Sequence, residues 1–330
     1  MKKNKIKNTG LEVTELCFGT SSLGSMPDTY GYEVPEERAQ DTLKRFFQGP
    51  VNLLDTSRNY AMGESEKRIG RAIKENGGWP SDFILSTKID RNMETLVLDK
   101  SRTRESLEES LKTLNVDSVD ILFLHDPEYV KDINDVTKEN GAMDELFKIK
   151  EEGLAKAVGL AMGKVDIMFP LLKNWDFDVM INHNRFTLLN READKMYDYA
   201  FSKNIAIFNA APYAGGVLAK GPDNFKKITY QDVSEEKLAP AREIEKVCKK
   251  HNIDMGAAAL QFSLKDKRIT SSMCGVTSIE SIEKNLKWAN ADISTEFWNE
   301  ILKLPFSSVD PEAERVFTLS LIHISEPTRR

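Results

Sequence analysis

The 330-residue sequence has few cysteines and histidines, no long apolar run and no dense cluster of basic residues. Its three cysteines lie far apart without metal-ligand spacing, which argues against a disulfide framework and a zinc site and suits a reducing compartment. No apolar stretch approaches the length of a membrane span, and none follows the basic start as in a secretion signal. A net charge of −6 argues against a nucleic-acid partner. We therefore expect a cytoplasmic protein without a metal, membrane or nucleic-acid partner.

The end of the chain differs in character from the rest. Residues 319–330 read like the in-frame translation of a sequencing adapter, and the pattern of strands and helices ends before them. We expect this segment to be non-native and discount His323 as a site residue. Because a β/α barrel of roughly 250 residues or more is usually a single domain, we expect residues 1–318 to form one domain.

Short apolar runs alternate with amphipathic helices along the chain. Runs such as 51–54 and 121–124 are apolar throughout, as strands covered on both faces are. Leu107, Leu111 and Leu114 recur at helical spacing. Eight strand candidates follow from this pattern, near residues 15–20, 51–55, 83–88, 119–125, 156–161, 178–182, 205–209 and 271–274.

This alternation predicts the α/β class, with a parallel sheet and right-handed crossovers. Eight units in a chain of this length favour a closed (β/α)8 TIM barrel over an open, doubly wound sheet. A doubly wound dinucleotide-binding sheet is expected to carry G-x-G-x-x-G after its first strand, and residues 19–24 lack that spacing. The barrel is therefore the predicted fold.

Three consecutive strand candidates end in residues that can carry out chemistry. Asp55, Lys88 and His125 stand at these strand ends, and Tyr60 lies just beyond Asp55. Each one alone also suits a structural role: a loop cap, a rim charge, a buried histidine or a lid residue. Because barrel active sites form at the carboxyl ends of strands, we expect all four to converge there.

A proton-exchanging tyrosine accounts for this combination of residue types. The pKa of a free tyrosine is about 10, and a neighbouring ammonium group favours the phenolate. We therefore expect Lys88 to lower the pKa of Tyr60, with Asp55 holding Lys88 in place. His125 would hydrogen-bond the reacting oxygen and fix its distance from a hydride acceptor. The group predicts a hydride-transfer site.

Three ordered motifs resemble the signatures of the aldo-keto reductases. They are residues 55–60 (DTSRNY) followed by Gly63, residues 86–88 (STK) and residues 124–127 (LHDP). The resemblance extends to about residue 315. It implies an aldo-keto reductase barrel whose catalytic tetrad is Asp55, Tyr60, Lys88 and His125.

Three further segments resemble one branch of that family. They are residues 125–128 (HDPE), 185–189 (RFTLL) and 211–218 (APYAGGVL). The branch contains D-threo-aldose 1-dehydrogenases, L-fucose and L-galactose dehydrogenases and pyridoxal 4-dehydrogenases. The resemblance implies oxidation of a sugar lactol or cyclic hemiacetal to a lactone with NAD(P)+.

The resemblance also implies where the cofactor binds. Residues 275–278 (GVTS) with Asn285 are similar to the family segment that receives the adenosine end at a helix start. Members that prefer NADP place cations at slots matching Gly275, Thr277 or Ser281, and none is cationic here. We expect NAD to be favoured, with NADP left open by Lys284. The expected cofactor contacts are His183, Asn184, Pro212, Gly216, Leu218, Gly275, Thr277, Ser278, Ser281 and Asn285.

Three positions depart from the family pattern around the nicotinamide. Residues 161–162 read Ala-Met where Ser-Asn is common, His183 replaces Gln, and Ala210 replaces a stacking Tyr. We expect His183 or Asn184 to contact the carboxamide, although a structural pair at a strand end accounts for them equally well.

The substrate is expected to be a small sugar or aldehyde. Tyr32 and Tyr213 are candidates to stack on a sugar ring, and Asp126 is a candidate to bind its hydroxyls. The leading hypothesis is an NAD-dependent aldose dehydrogenase acting as a monomer or small homo-oligomer. An NADPH-dependent carbonyl reductase and a nicotinamide-binding regulatory barrel remain the alternatives.

Overall fold

The computed structural model describes residues 1–313, so the segment 319–330 that we expect to be non-native lies outside the described part. The strands are β1 (Lys3–Ile6), β2 (Leu11–Thr14), β3 (Leu16–Gly19), β4 (Leu53–Asp55), β5 (Ile84–Ile89), β6 (Val119–His125), β7 (Ala155–Met162), β8 (Val179–His183), β9 (Ala206–Ala210), β10 (Lys227–Ile228), β11 (Gln231–Asp232) and β12 (Ile269–Gly275).

The helices lie mostly between the strands. They are α1 (Pro27–Tyr30), α2 (Glu36–Phe46), α3 (Glu64–Glu75), α4 (Lys100–Leu114), α5 (Ile133–Thr137), α6 (Ala142–Glu151), α7 (Val165–Asn174), α8 (Asp194–Ser202), α9 (Val217–Lys220), α10 (Glu235–Lys250), α11 (Met255–Leu264), α12 (Ile279–Ala289) and α13 (Thr295–Ile301). None of the helices within residues 1–313 combines the length and apolar character needed to cross a bilayer.

Eight strands form a closed parallel barrel. They follow one another from β3 to β9, and β12 closes the ring between β9 and β3. Each of the eight strand candidates predicted from the sequence overlaps one of these strands, and the predicted (β/α)8 barrel is confirmed. The antiparallel hairpin of β1 and β2 was not predicted from the sequence. Its apolar residues Ile6, Leu11 and Val13 join the cluster formed by inward-facing barrel residues.

Alternation along the strands determines which side chains enter the barrel. Leu53, Ile84 and Phe123 belong to the interior cluster, whereas their neighbours along the strands pack against the surrounding helices. In register, Leu53 pairs with Ile84 and Lys88 pairs with Phe123. Asp55 lies two residues beyond Leu53, so it also points inward. The interior therefore changes from apolar to polar at the carboxyl end of the barrel.

A buried arginine ties the last described residues to the same end. Arg185 is fully buried, and its guanidinium donates to Glu312 and, over 2.6 Å, to Asp310 Oδ1. Asn190 Nδ2 donates to the carbonyl oxygen of Val309 at 2.8 Å. Residues 309–312 therefore lie against the loop that follows β8, beside the polar mouth of the barrel.

A buried carboxyl group on α3 predicts a pH-dependent stability. Burial raises the pKa of Glu66 to about 7, although its Oε1 accepts a hydrogen bond of 2.6 Å from Thr87 Oγ1. An unfolded glutamate has a pKa of about 4.3, so the folded chain binds more protons between about pH 4.5 and 7. Stability contributed by the protonated form is therefore lost as the pH rises through this window.

We predict that Glu66→Gln, which cannot ionise, unfolds on the order of 5 °C above the unchanged protein at pH 8 and shows no gain at pH 5. Thermal unfolding followed by circular dichroism at both pH values measures this difference. A gain of equal size at both values would contradict the explanation, because it would not depend on ionisation.

Candidate active site

A buried ion pair lies at the ends of β4 and β5. The side chains of Asp55 and Lys88 are 1% and 2% exposed. Lys88 Nζ donates to Asp55 Oδ2 and, at 2.7 Å, to the carbonyl oxygen of Thr56. Ser86 Oγ donates to Asp55 Oδ1 at 2.8 Å. Both charges are thus hydrogen-bonded on several sides, as a buried ion pair requires.

The loop after β4 carries Tyr60 over this pair. A short 3-10 helix, Tyr60–Gly63, turns sharply because Ala61, Met62 and Gly63 all have positive φ. At Gly63 a β-carbon would also collide with the guanidinium of Arg58. Lys88 Nζ lies 4.6 Å from the centroid of the Tyr60 ring, a cation–π geometry. The predicted convergence of these side chains is present.

The expected lowering of the pKa of Tyr60 is not found. Burial raises the pKa of Tyr60 well above its ordinary value, and the negative charge of Asp55 adds to the rise. The prediction is wrong because burial disfavours the charged phenolate, and the carboxylate of Asp55 disfavours it further. Tyr60 therefore keeps its proton at neutral pH and is suited to donate a hydrogen bond to a reacting oxygen.

His125 completes the group at the end of β6. Its ring lies edge-on to the Tyr60 ring, with centroids 5.7 Å apart and planes at 83°. Nδ1 lies 2.7 Å from Asp90 Oδ1, and Nε2 lies 3.7 Å from Asp126 Oδ1. Burial opposes the imidazolium, but Asp126 and Asp90 outweigh it and raise the pKa of His125.

Asp90 and Ser57, which both contact His125, were not predicted from the sequence. Asp90 is buried and accepts hydrogen bonds from Ser57 Oγ and, at 2.9 Å, from the backbone N–H of Asn59. The alternation of inward-facing and outward-facing side chains along a strand could have identified both residues. Ser57 lies two residues beyond Asp55, and Asp90 two beyond Lys88, so each continues an inward-facing series.

The residues expected near a nicotinamide carboxamide lie at the end of β8. Asn184 is buried and has a positive φ of 63°, and its Nδ2 lies 3.3 Å from His183 Nδ1. Within residues 1–313, Asn184 Oδ1 has no hydrogen-bond partner. Burial lowers the pKa of His183, although Glu312 opposes this shift. A buried acceptor without a donor fits the amino group of a carboxamide.

The expected adenosine site lies at the start of α12. Ser278 caps this helix, and Ser281 Oγ accepts from the backbone N–H groups of Thr277 and Ser278 at 3.0 and 3.1 Å. Gly275 is exposed, and the nearest atom to a β-carbon built there is Ser22 Oγ at 3.8 Å. A substitution at Gly275 therefore disturbs neither the cap nor the packing.

A hydrogen bond joins this helix to the loop that contains Pro212, Gly216 and Leu218. Tyr213 Oη donates to Asn285 Oδ1 at 2.5 Å, and the Tyr213 ring packs edge-on against Trp288 at 5.5 Å. The two segments expected to hold the cofactor are therefore adjacent. This position places Tyr213 with the cofactor segments and does not favour its expected role in stacking on a substrate ring.

The other expected substrate residues lie at the mouth of the barrel. Tyr32 is 37% exposed, with its ring centroid 6.1 Å from that of Tyr30. Tyr30 Oη lies 2.7 Å from Ser21 Oγ and contributes to the raised pKa of Tyr60, so it lies near the reactive group. The Asp126 side chain is one quarter exposed. The mouth is therefore aromatic on one side and acidic on the other.

Residues 15–304 match the sequence profile of the aldo/keto reductase family. The chain is 31% identical to L-galactose dehydrogenase from Arabidopsis thaliana, over 84% of this chain and 85% of that protein. It is 25% identical to pyridoxal 4-dehydrogenase from Microbacterium luteolum, over 91% and 96% of the two chains. It is 26% identical to D-threo-aldose 1-dehydrogenase from a Pseudomonas species, over 88% and 94%.

Solved structures share the fold. A holo aldo-keto reductase from Bacillus halodurans aligns with a TM-score of 0.77 at 22% identity, over 96% of this chain and 100% of that one. A glycerol dehydrogenase from Gluconobacter oxydans aligns with a TM-score of 0.71 at 19% identity, over 94% and 98%. At these identities the likeness concerns the barrel alone.

The buried pair predicts a non-additive effect on stability. Asp55→Leu leaves Lys88 buried without its counter-ion, so we expect a loss of about 3–5 kcal/mol in the free energy of unfolding. In Asp55→Leu/Lys88→Met the uncompensated charge is gone, and most of that loss should be recovered. Urea unfolding measures both variants.

The matched control is Lys226→Ala, which breaks an ion pair with Glu235 in which both side chains are about 60% exposed. It should leave the free energy of unfolding essentially unchanged. A double variant no more stable than Asp55→Leu would contradict the expected recovery, because the uncompensated charge of Lys88 would then not be the cause of the loss.

Proposed function

This chain belongs to the aldo/keto reductase family, and we propose that it oxidises the anomeric carbon of an aldose or similar cyclic hemiacetal with NAD+. It is a nicotinamide-dependent oxidoreductase, as the family and the named dehydrogenase relatives show. The observation that carries the proposal is the convergence of Tyr60, His125 and the buried pair of Asp55 and Lys88 at one barrel rim.

The cofactor would lie between the end of β8 and the start of α12. Asn184 Oδ1 would accept a hydrogen bond from the carboxamide, since it is buried without a donor among residues 1–313. Residues 212–218 and α12, joined by Tyr213 and Asn285, would hold the adenosine end. When bound, the oxidised nicotinamide ring supplies the hydride acceptor.

Tyr60 and His125 would face the reacting oxygen from two sides. The two rings meet edge-on, and Lys88 lies against the face of the tyrosine. The phenolate form of Tyr60, which its raised pKa confines to alkaline pH, would take the proton of the anomeric hydroxyl as hydride leaves C1 for the acceptor. His125 would hydrogen-bond the same oxygen and fix its distance from the hydride acceptor. Asp55 and Lys88 would keep Tyr60 in place.

The mouth of the site fits a neutral polyol better than an anion. Asp126 lies 3.7 Å from His125 Nε2 and is partly exposed, so its carboxylate is available to accept hydrogen bonds from sugar hydroxyls. An anionic substrate would be repelled by the same charge. The names of the similar L-galactose and D-threo-aldose dehydrogenases support this substrate class.

The start of α12 supports NAD as the cofactor. Gly275, Thr277 and Ser281 provide no cation for a 2′-phosphate, and the hydroxyl of Ser281 is already engaged in the helix cap. Glu280 adds a negative charge in the first turn of the helix. We also propose a single domain, which the closed eight-stranded barrel supports. We propose a cytoplasmic location as well, which the three free, buried cysteines support.

The raised pKa of Tyr60 favours one second candidate, an NADPH-dependent carbonyl reductase. A tyrosine that keeps its proton can protonate the oxygen of a carbonyl as hydride arrives. The cofactor site separates the two candidates, because NADPH requires a favourable partner for its 2′-phosphate.

We expect reduced nicotinamide to form when the protein is given NAD+ and a sugar, and Tyr60→Phe to lower this rate at least about 100-fold, because it removes the hydroxyl group that exchanges the proton with the reacting oxygen. Initial rates are followed by absorbance with L-galactose, L-fucose, D-arabinose and pyridoxal, with NAD+ and NADP+ in separate assays. Turnover only of simple aldehydes with NADPH would replace this proposal by the carbonyl reductase.

Gly275→Arg should raise the ratio of kcat/KM for NADP+ to that for NAD+ by roughly tenfold or more, because it adds a cation where the fold leaves space. The neutral variant Gly275→Gln is the control for side-chain bulk, and it should leave the ratio nearly unchanged. An equal change of the ratio in both variants would contradict the prediction, because it would show that the 2′-position of the bound cofactor does not lie near residue 275.

A further inference from the structure

Three polar side chains of α4 lie on one stripe of that helix, beside the segment that follows β5. Arg102, Ser106 and Glu109 recur at intervals of four and three residues, which brings them to one side of an α-helix. Arg102 Nε donates to the carbonyl oxygen of Asp90 at 3.1 Å, and Ser106 Oγ accepts from the backbone N–H of the same residue at 3.0 Å. Helix α4 therefore holds both backbone groups of Asp90.

Glu109 joins this stripe to the loop that carries Tyr60. Its carboxylate accepts from Arg58 Nε at 2.8 Å and from both terminal nitrogens of Arg102, at 3.0 and 3.1 Å. The hydrogen bonds from Arg102 and then from Arg58 outweigh partial burial and lower the pKa of Glu109, so it is ionised at neutral pH. A bidentate contact within a network of three charges is stronger than an isolated surface ion pair.

The loop depends on external contacts because its own backbone is unfavourable. Ala61 and Met62 have left-handed φ values of 51° and 56°, which cost free energy in residues that carry a side chain. The guanidinium of Arg58 lies against Gly63, where a β-carbon would collide with it. Arg58 therefore spans the turn from outside, and Glu109 fixes the direction of its guanidinium.

Asp90 holds the same loop from its inner side. Asp90 Oδ2 accepts from the backbone N–H of Asn59 at 2.9 Å, one residue before Tyr60. Arg102 binds both the carbonyl oxygen of Asp90 and the carboxylate of Glu109, so it links the inner and outer contacts. Both contacts that flank Tyr60 in the sequence thus lead back to α4.

We propose that Glu109, through Arg58 and Arg102, is a positioning residue for Tyr60. Its side chain is 41% exposed on an outer helix, so it acts through the loop and not on the substrate. The hydroxyl of Tyr60 must lie within hydrogen-bond reach of the anomeric oxygen to exchange a proton with it. A misplacement of about 1 Å at a reacting group lowers a rate by as much as about 100-fold. The kinetic part of the inference rests on the proposed function.

Glu109→Gln keeps the shape of the side chain and removes its charge. We expect kcat for sugar oxidation to fall roughly tenfold, while KM for the sugar and the Kd of NAD+ change less than about twofold. The matched control is Glu105→Gln on the same helix. Glu105 is 59% exposed and approaches Arg102 only to 3.7 Å, so this variant should leave kcat unchanged.

A double variant tests whether Arg58 and Glu109 act as one unit. Arg58→Met alone should lower kcat by a factor similar to that of Glu109→Gln, and it provides a second variant if Glu109→Gln does not fold. Because both changes break the same link, Arg58→Met/Glu109→Gln should be no slower than the slower single variant. Two effects that multiply in the double variant would overturn the link between the residues.

Hydrogen–deuterium exchange tests the hold on the loop without any substrate. In Glu109→Gln the backbone amides of residues 57–63 should exchange several-fold faster, including those of Tyr60 and Met62, which donate within the loop at 3.2 and 3.0 Å. Residues 119–125 of β6 should keep their rate, because a local effect leaves the barrel unchanged.

An unchanged kcat in Glu109→Gln overturns the inference. So does exchange that stays unchanged in residues 57–63 or rises equally in both segments, because a general loss of stability would explain the latter. If the unchanged protein oxidises no sugar, the proposed function fails, and the exchange result alone then decides whether Glu109 holds the loop.

Discussion

The buried pair of Asp55 and Lys88 is the constraint on which the arrangement of the site depends. Two charges held out of water at adjacent strand ends are costly, and they persist only because Thr56 and Ser86 complete their hydrogen bonds. The pairing fixes the relative positions of β4 and β5 at the mouth and places an ammonium group against the face of Tyr60. Tyr60 packs its ring against the ammonium group of this pair, and His125 in turn packs edge-on against Tyr60.

Burial and the charge of Asp55 also determine whether Tyr60 keeps its proton. A free ammonium group beside the phenol would favour the phenolate, but here burial and the carboxylate keep Tyr60 protonated. His125, at the end of β6, has a buried carboxylate of its own, because its Nδ1 lies 2.7 Å from Asp90 Oδ1. A buried aspartate thus lies beside each of these two side chains, and each carboxylate favours the protonated form of its neighbour.

The sequence predicts the barrel and the convergence at its rim because both follow from short-range patterns. Apolar runs mark the strands, and the polar residue at the end of a run marks the mouth. The sequence does not predict the raised pKa of Tyr60, which depends first on burial and then on charges from separate strands and loops, that of Asp55 foremost. The same limit applies to Tyr213, whose partner Asn285 lies 72 positions later. Asp90 was accessible through strand alternation, since it continues the inward series of Lys88.

The departures from the family pattern at the end of β7 have a structural counterpart at the end of β8. Ala161 and Met162 are buried and bring no side-chain hydrogen-bonding group to the mouth. The next strand ends instead in His183 and Asn184, and Asn184 keeps an amide oxygen buried without a partner among residues 1–313. Such an acceptor costs free energy unless a ligand satisfies it. The polar side chains at this part of the mouth therefore come from the end of β8, and Glu312 contacts them because its carboxylate lies 3.6 Å from His183 Nδ1.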